Sequence, residues 1–423
     1  MKKVHVFTSA ALNYIPKVRM LFRSLRKYHP EWMLHLALAD ELPPEIDLSS
    51  EPFDEVVSLD LLNIPSWQGW AFCHTIVELA TAIKPFMLAR LLKLPDAAKV
   101  IYLDPDMVVF SRLDDILDAL DEANLVLTPH LTNPEKTLSA VLDNEICSLK
   151  HGVYNLGFLG VAATEVGHEF AKWWSQRLYY FCRVDIPNGL FTDQRWIDLV
   201  PAFFSGVAII CSSRHNVATW NLTTRELSID VSGGYWVDGE PLGFYHFTGF
   251  DSGAHHTMAT KNAGGNASVQ KLIDWYSDKI THLSNDPLTK QSWAFSTFSD
   301  GTIINKAQRI IYRERIDLQR TFSNPFDASG YLSWWNTQGL VEYPDVFNPD
   351  TQDMALAKLS SVLTPGFSDS SNVKWEKAYP IIKEAMTHPS TGIKLLKRSW
   401  EILRIEGVRG FKSRLNRYYE RNK

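Results

Sequence analysis

Residues 100–103 and 107–110 form two apolar, β-rich runs, and Asp104-Pro105-Asp106 separates them. Pro105 has no backbone N–H to give to a sheet ladder, so the chain must leave the sheet there. Two carboxylates one residue apart then stand at the carboxyl end of a buried strand. Open α/β sheets hold their ligands at that edge. The pattern admits two readings: a divalent-metal site holding a diphosphate, or a polar turn carrying two solvated acids.

The opening of the chain extends this frame. Residues 4–8 are β-rich and 9–14 are loop-like. Val18, Leu21, Phe22 and Leu25 recur at helical spacing, and residues 33–39 return to strand character. A β-loop-helix-β start predicts an α/β fold with a mostly parallel, twisted, doubly wound sheet flanked by helices. Its first loop lies at the ligand edge, so Thr8, Ser9 and Tyr14 come within reach of a nucleotide; Tyr14 could equally serve only to pack the loop.

Further on, residues 75–93 carry a helical pattern that Pro85 divides, with Pro85 in the first turn of a second helix. Of the two cations there, Arg90 suits a bidentate grip on phosphate. Lys84 reads as a solvated helix charge. Residues 150–161 read as a strand whose polar exception, Asn155, either satisfies backbone groups or faces a substrate. Asp193 and Gln194 open a short helix, as cap residues or as groups pointing into a cleft. His246 ends a strand beside a glycine-containing loop, either as a core histidine or as a third metal ligand.

Composition narrows the classes. The net charge of −5 gives no sign of nucleic-acid binding. The four cysteines form no Cys-x-x-Cys pair and read as reduced thiols, so a cytoplasmic location is expected. The longest apolar run, near residues 200–211, contains Pro201 and Ser205 and is too short to span a bilayer. Residues 391–423 hold ten Lys or Arg against three Glu and are amphipathic in parts, which suits peripheral contact with an anionic membrane face. The other reading is a solvated helix packed on the domain, or a linker to something else.

Five segments occur in one order: Ile83-Lys-Pro-Phe-Met-Leu-Ala-Arg-Leu-Leu92, Val100-Ile-Tyr-Leu-Asp-Pro-Asp-Met-Val-Val109, Tyr154-Asn-Leu-Gly157, Thr192-Asp-Gln194 and Tyr245-His-Phe-Thr-Gly249. Together they resemble the GT-A-fold retaining glycosyltransferases of the glycogenin and lipopolysaccharide galactosyltransferase family, over roughly residues 3–260. The resemblance implies Mn²⁺ or Mg²⁺ on Asp104, Asp106 and His246, a diphosphate held by Arg90, and the donor sugar near Asn155. It implies that Asp193 and Gln194 lie by the sugar and acceptor. The donor it implies is a UDP-linked hexose and the acceptor a glycan or lipid-linked saccharide, with retention at the anomeric carbon and a place in bacterial surface polysaccharide synthesis. In one departure, the family's diphosphate lysine after His-Phe-x-Gly is missing, and no lysine follows until Lys261.

Two rivals remain. A sugar nucleotidyltransferase would carry a glycine-rich, basic N-terminal loop, which residues 7–13 lack. A non-catalytic nucleotide-binding scaffold of a polysaccharide assembly complex would not require the full set of acids and imidazole. The expected division is a catalytic domain over 1–265, a mainly helical region over 266–390 and the basic tail over 391–423.

Overall fold

The computed structural model describes residues 2–361. Among the described residues, fourteen strands run in chain order: β1 Lys3–Ala10, β2 Met33–Leu38, β3 Glu55–Val57, β4 Ala97–Leu103, β5 Met107–Val109, β6 Leu125–Leu127, β7 Phe158–Ala162, β8 Val184–Asp185, β9 Leu190–Phe191, β10 Val207–Ile209, β11 Leu227–Ile229, β12 Tyr235–Val237, β13 Glu240–Pro241 and β14 Phe244–His246. Seven make the central sheet in the order β10-β6-β7-β4-β1-β2-β3. Every neighbouring pair in it is parallel except the two that involve β7. The α/β expectation therefore holds.

The side-chain alternation of the strands builds the layers. Val100 and Tyr102 join Phe7, Leu159 and Val161 on one face, against the helices Ile76–Ala82, Lys84–Leu92 and Glu165–Phe181. Ile101 and Leu103 join Val6, Leu34, Leu36 and Phe158 on the other, against Ile15–Tyr28 and Asp114–Glu122. Each such aliphatic side chain taken from water contributes about 1.5–3 kcal/mol. A third apolar cluster gathers Val108, Val217, Tyr245 and Phe247 with the helices Ala254–Asn262 and Ala267–Leu283.

Pro85 divides the 75–93 pattern as expected, into Ile76–Ala82 and Lys84–Leu92. Thr75 caps the first helix in a reciprocal capping box with Glu78. The strand expected over 150–161 is shorter: a helix ends at His151, Gly152 turns the chain, and β7 begins only at Phe158.

Among the described residues, those through Gly339 form one compact unit and those from Leu340 a second, so the division expected at residue 265 falls inside the first unit. Specific bonds bind the segment after 265 into the first unit. Trp293 Nε1 donates to the Ala39 carbonyl, and buried Arg309 donates to the carbonyls of Phe72, His74 and Phe295. In the second unit, described as far as Ser361, Pro344–Phe347 and Gln352–Ser361 are helical. The basic tail over 391–423, and with it the expected membrane contact, lies outside the described residues. No helix among them is long and apolar enough to cross a membrane.

Candidate functional site

Asp104-Pro105-Asp106-Met107 is a β-turn, with Pro105 at its second position and Met107 N–H donating to the Asp104 carbonyl at 3.0 Å. The turn releases β5 from the central sheet. β5 then pairs antiparallel with β14, and the register sets His246 opposite Met107. Phe247 N–H donates to the Asp106 carbonyl at 2.9 Å and locks that register. The His246 imidazole is thereby delivered to both carboxylates: Nε2 lies 3.1 Å from Asp106 Oδ1 and 3.6 Å from Asp104 Oδ2.

One ligand atom from each of Asp104, Asp106 and His246 falls within 4.8 Å of the others. Two carboxylate oxygens and an imidazole nitrogen suit Mg²⁺ or Mn²⁺, and the nitrogen favours Mn²⁺. The electrostatics fit a cation. Burial works to lower the His246 pKa, yet Asp106 and Asp104 outweigh it and hold the imidazole above its ordinary value. Burial of Asp106 is likewise outweighed, by His246 and then Lys17, and its carboxyl stays below the usual range.

The cluster opens into a cavity of about 670 Å³, a volume typical of small-molecule sites. Its walls include Ser9, Tyr14, Asn155, Asp193 and Gln194 as well as the three cluster residues. Ser9 Oγ lies 3.4 Å from the Tyr102 hydroxyl, which donates to Asp104 Oδ1. Asn155 is held through both ends of its amide: Oδ1 accepts from Gly157 N–H at 3.1 Å, and Nδ2 donates to His130 Nε2 at 3.1 Å. Gln194 is held similarly, accepting from Leu156 N–H at 3.1 Å and donating to the His151 carbonyl at 3.0 Å. Asp193 enters from Thr192, a β-branched residue with φ of 46°. Such left-handed backbone is costly outside glycine and tends to mark functional sites. The Thr192 hydroxyl donates to Asp193 Oδ1 at 3.1 Å.

Two expected ligand contacts are placed elsewhere. Arg90 is not on the cavity wall and instead ion-pairs with Glu55 at 3.0 Å. At 100° per residue, the six positions between Lys84 and Arg90 turn their side chains about 120° apart, so one helix cannot aim both at the cavity. Thr8 is fully buried beside cavity-lining Ser9, because adjacent strand residues face opposite ways.

The residue that sequence reasoning missed is Lys84. It is 5% exposed, and its ammonium lies 3.0 Å from Asp193 Oδ2 and 3.3 Å from Asp104 Oδ1. Burial, the largest influence, opposes its charge, but Asp104 and Asp193 prevail and keep its pKa well above normal. Burial pushes the Asp193 carboxyl up, against the pull of Lys84. A signal was present: Lys84 shares a helix face with the apolar Leu88 and Leu91, four and seven residues on. Lys261, the first lysine after His246, pairs with Asp143. Lys17 donates to the Tyr14 hydroxyl at 3.0 Å and ion-pairs with Asp251, both cavity-wall residues.

No family model matches the chain. It is similar to YfnD of Bacillus subtilis strain 168, an uncharacterized protein, with 28% identity over 314 residues, 72% of this chain and 96% of that protein. It is also similar to uncharacterized YfnF of the same strain, 26% identical over 176 residues, 41% of this chain and 57% of that protein. Among solved structures, it resembles the galactosyltransferase LgtC in complex with donor and acceptor sugar analogs, with TM-score 0.36 and 18% identity over 65% of this chain and 99% of that one. The apo form of the glycosyltransferase GlyE of Streptococcus pneumoniae TIGR4 gives TM-score 0.33 and 17% identity, over 52% of this chain and about half, 47%, of GlyE. At TM-scores below 0.5, neither likeness assigns a reaction to this chain.

Proposed function

We propose that this chain is a divalent-metal-dependent glycosyltransferase that moves a hexose from a nucleotide-sugar donor, UDP-linked by the family resemblance, to a glycan or lipid-linked saccharide. One observation carries the reading: Asp104, Asp106 and His246 converge at one side of a 670 Å³ cavity whose wall also carries the buried Asp193. That arrangement offers a diphosphate-binding end and, beside it, a carboxylate for a sugar.

Asp104, Asp106 and His246 Nε2 would hold Mn²⁺ or Mg²⁺, which when bound neutralises the charge growing on a leaving diphosphate. The chain's own residues do the rest. Asn155 and Gln194, pinned by backbone bonds, give the sugar pocket a rigid wall. Asp193 faces the reacting sugar, where its carboxylate either steadies positive charge at the anomeric carbon or orients the acceptor hydroxyl. Retention and a role in surface polysaccharide synthesis follow from the family resemblance and belong to this reading.

The test is Mn²⁺-dependent release of free nucleotide from a panel of nucleotide sugars, paired with thermal shifts on the same panel. Turnover and a donor-induced rise in melting temperature, both abolished by chelator, are expected. Metal-independent binding without turnover would favour the scaffold reading instead.

A further inference from the structure

We propose that Lys84 is a positioning residue, whose ammonium fixes the Asp193 carboxylate against the sugar held in the cavity. This rests on the sugar-transfer reading above.

Four groups surround the ammonium. Besides Asp193 Oδ2 and Asp104 Oδ1, the Leu156 carbonyl lies at 3.5 Å and the Tyr102 ring centroid at 4.2 Å. An ammonium has three hydrogens to donate and no acceptor. Asp104 Oδ1 and the Leu156 carbonyl accept two of them, and Asp193 Oδ2 lies at ion-pair distance, 3.0 Å from the nitrogen. Lys84 therefore acts through the groups it touches.

The stem is anchored as firmly as the tip. Lys84 opens its helix immediately before Pro85, and Leu88 and Leu91 are buried beneath it on the same face. The Asp193 side is equally constrained, by the left-handed Thr192 backbone and the Thr192 hydroxyl. One cation thus ties Asp104, at the end of β4, to Asp193, which precedes the helix Gln194–Ile197. The spacing between the metal-binding end and the sugar-facing end of the cavity is set by Lys84. Burying an ammonium there is expensive unless its partners stay in place, and the same expense makes displacement of Asp193 unfavourable.

The experiment compares the full chain with Lys84→Met, Asp193→Asn and the double variant. Lys84→Met keeps the stem and removes the charge. In Mn²⁺-dependent nucleotide-sugar turnover its kcat is expected to fall about 100-fold, the scale of a small misplacement of a reacting partner. KM, and the affinity for UDP with Mn²⁺ measured by calorimetry, should change less than about threefold, since a residue acting only in the transition state lowers kcat alone. The double variant should turn over no more slowly than Asp193→Asn, because Lys84 then has nothing left to position. It should also melt above Lys84→Met, because the buried Asp193 carboxylate is no longer left without its cation. Unchanged kcat in folded Lys84→Met, a KM effect with kcat kept, or a further 100-fold loss in the double variant would each overturn the positioning role alone. Absence of wild-type turnover on every donor overturns the sugar-transfer reading and this role with it. The melting comparison would still report the Lys84–Asp193 pair.

Discussion

His246 stands opposite Met107 across the antiparallel β5–β14 pair, and this register places its Nε2 3.1 Å from Asp106 Oδ1. A slip of one residue would turn the imidazole to the other face of the ribbon. The candidate metal cluster is therefore a product of strand pairing as much as of ligand identity.

Removing one ligand tests the cluster directly. Asp106→Ala and His246→Ala are each expected to weaken Mn²⁺ binding by more than about tenfold, since even outer-shell losses cost 10–100-fold. Titration calorimetry reads the affinity, and circular dichroism checks that the fold persists. Wild-type affinity in either variant would remove that residue from the site.

Gly157 probes the same cluster without touching a ligand. A Cβ at this position would lie 2.7 Å from His246 Cε1, 2.7 Å from Asn155 Oδ1 and 2.5 Å from Met107 Cε. Met107 can flex, but His246 is confined by β14. Gly157→Ala should therefore displace the imidazole and lower Mn²⁺ affinity several-fold while every ligand remains in the sequence. Identical binding isotherms for the two proteins would show that the wall gives way elsewhere.

Arg90 distinguishes geometry from motif. Because it pairs with Glu55 on a partly exposed surface, Arg90→Met should cost no more than about 1 kcal/mol of stability. It should also leave donor KM within about twofold, as expected for a residue off the cavity wall. A large rise in KM would restore the diphosphate role that the sequence resemblance implies.

Acid should unfold the protein through buried histidines. Burial lowers His130 and His255 to about 4. In the unfolded chain each titrates near the ordinary value of about 6.5, so the unfolded state binds more protons below that pH. Their contribution to stability is complete above about 6.5 and is lost as pH falls toward 4, by up to about 3 kcal/mol for buried His130. Urea midpoints at pH 7.5, 5.5 and 4.5 should decline in that order, and His130→Gln should decline less steeply. Parallel slopes for the two proteins would contradict the assignment to His130.

The segment after residue 265 should prove indispensable. Phe247 stacks on Tyr276 with ring centroids 3.7 Å apart, and Arg309 closes three carbonyls of the first unit. A chain ending at residue 265 is expected to be insoluble or to bind a hydrophobic dye, whereas a soluble, cooperatively melting product would restore the boundary expected from sequence.

The sheet and the acid–imidazole cluster were legible because each leaves a local mark. Strands show in their β-rich runs, Pro105 forces the turn, and His246 ends a strand beside a glycine. What was not legible depends on direction. Arg90 looks as eligible as Lys84 until the helix phase is known, and Thr8 looks as eligible as Ser9 until the strand faces are. The unit boundary was hidden because the bonds from Trp293 and Arg309 reach more than 200 residues back along the chain, a distance over which no periodicity speaks.

The β5–β14 pairing also orders events in time. During synthesis both carboxylates emerge with residue 106, but their imidazole partner is 140 residues away. Chains emerge at about 5–20 residues per second, so the three-ligand set cannot exist for at least several seconds after the acids appear. A nascent chain thus cannot assemble the full coordination set early, and capture of the cation by all three groups reports that the distant halves of this unit have met.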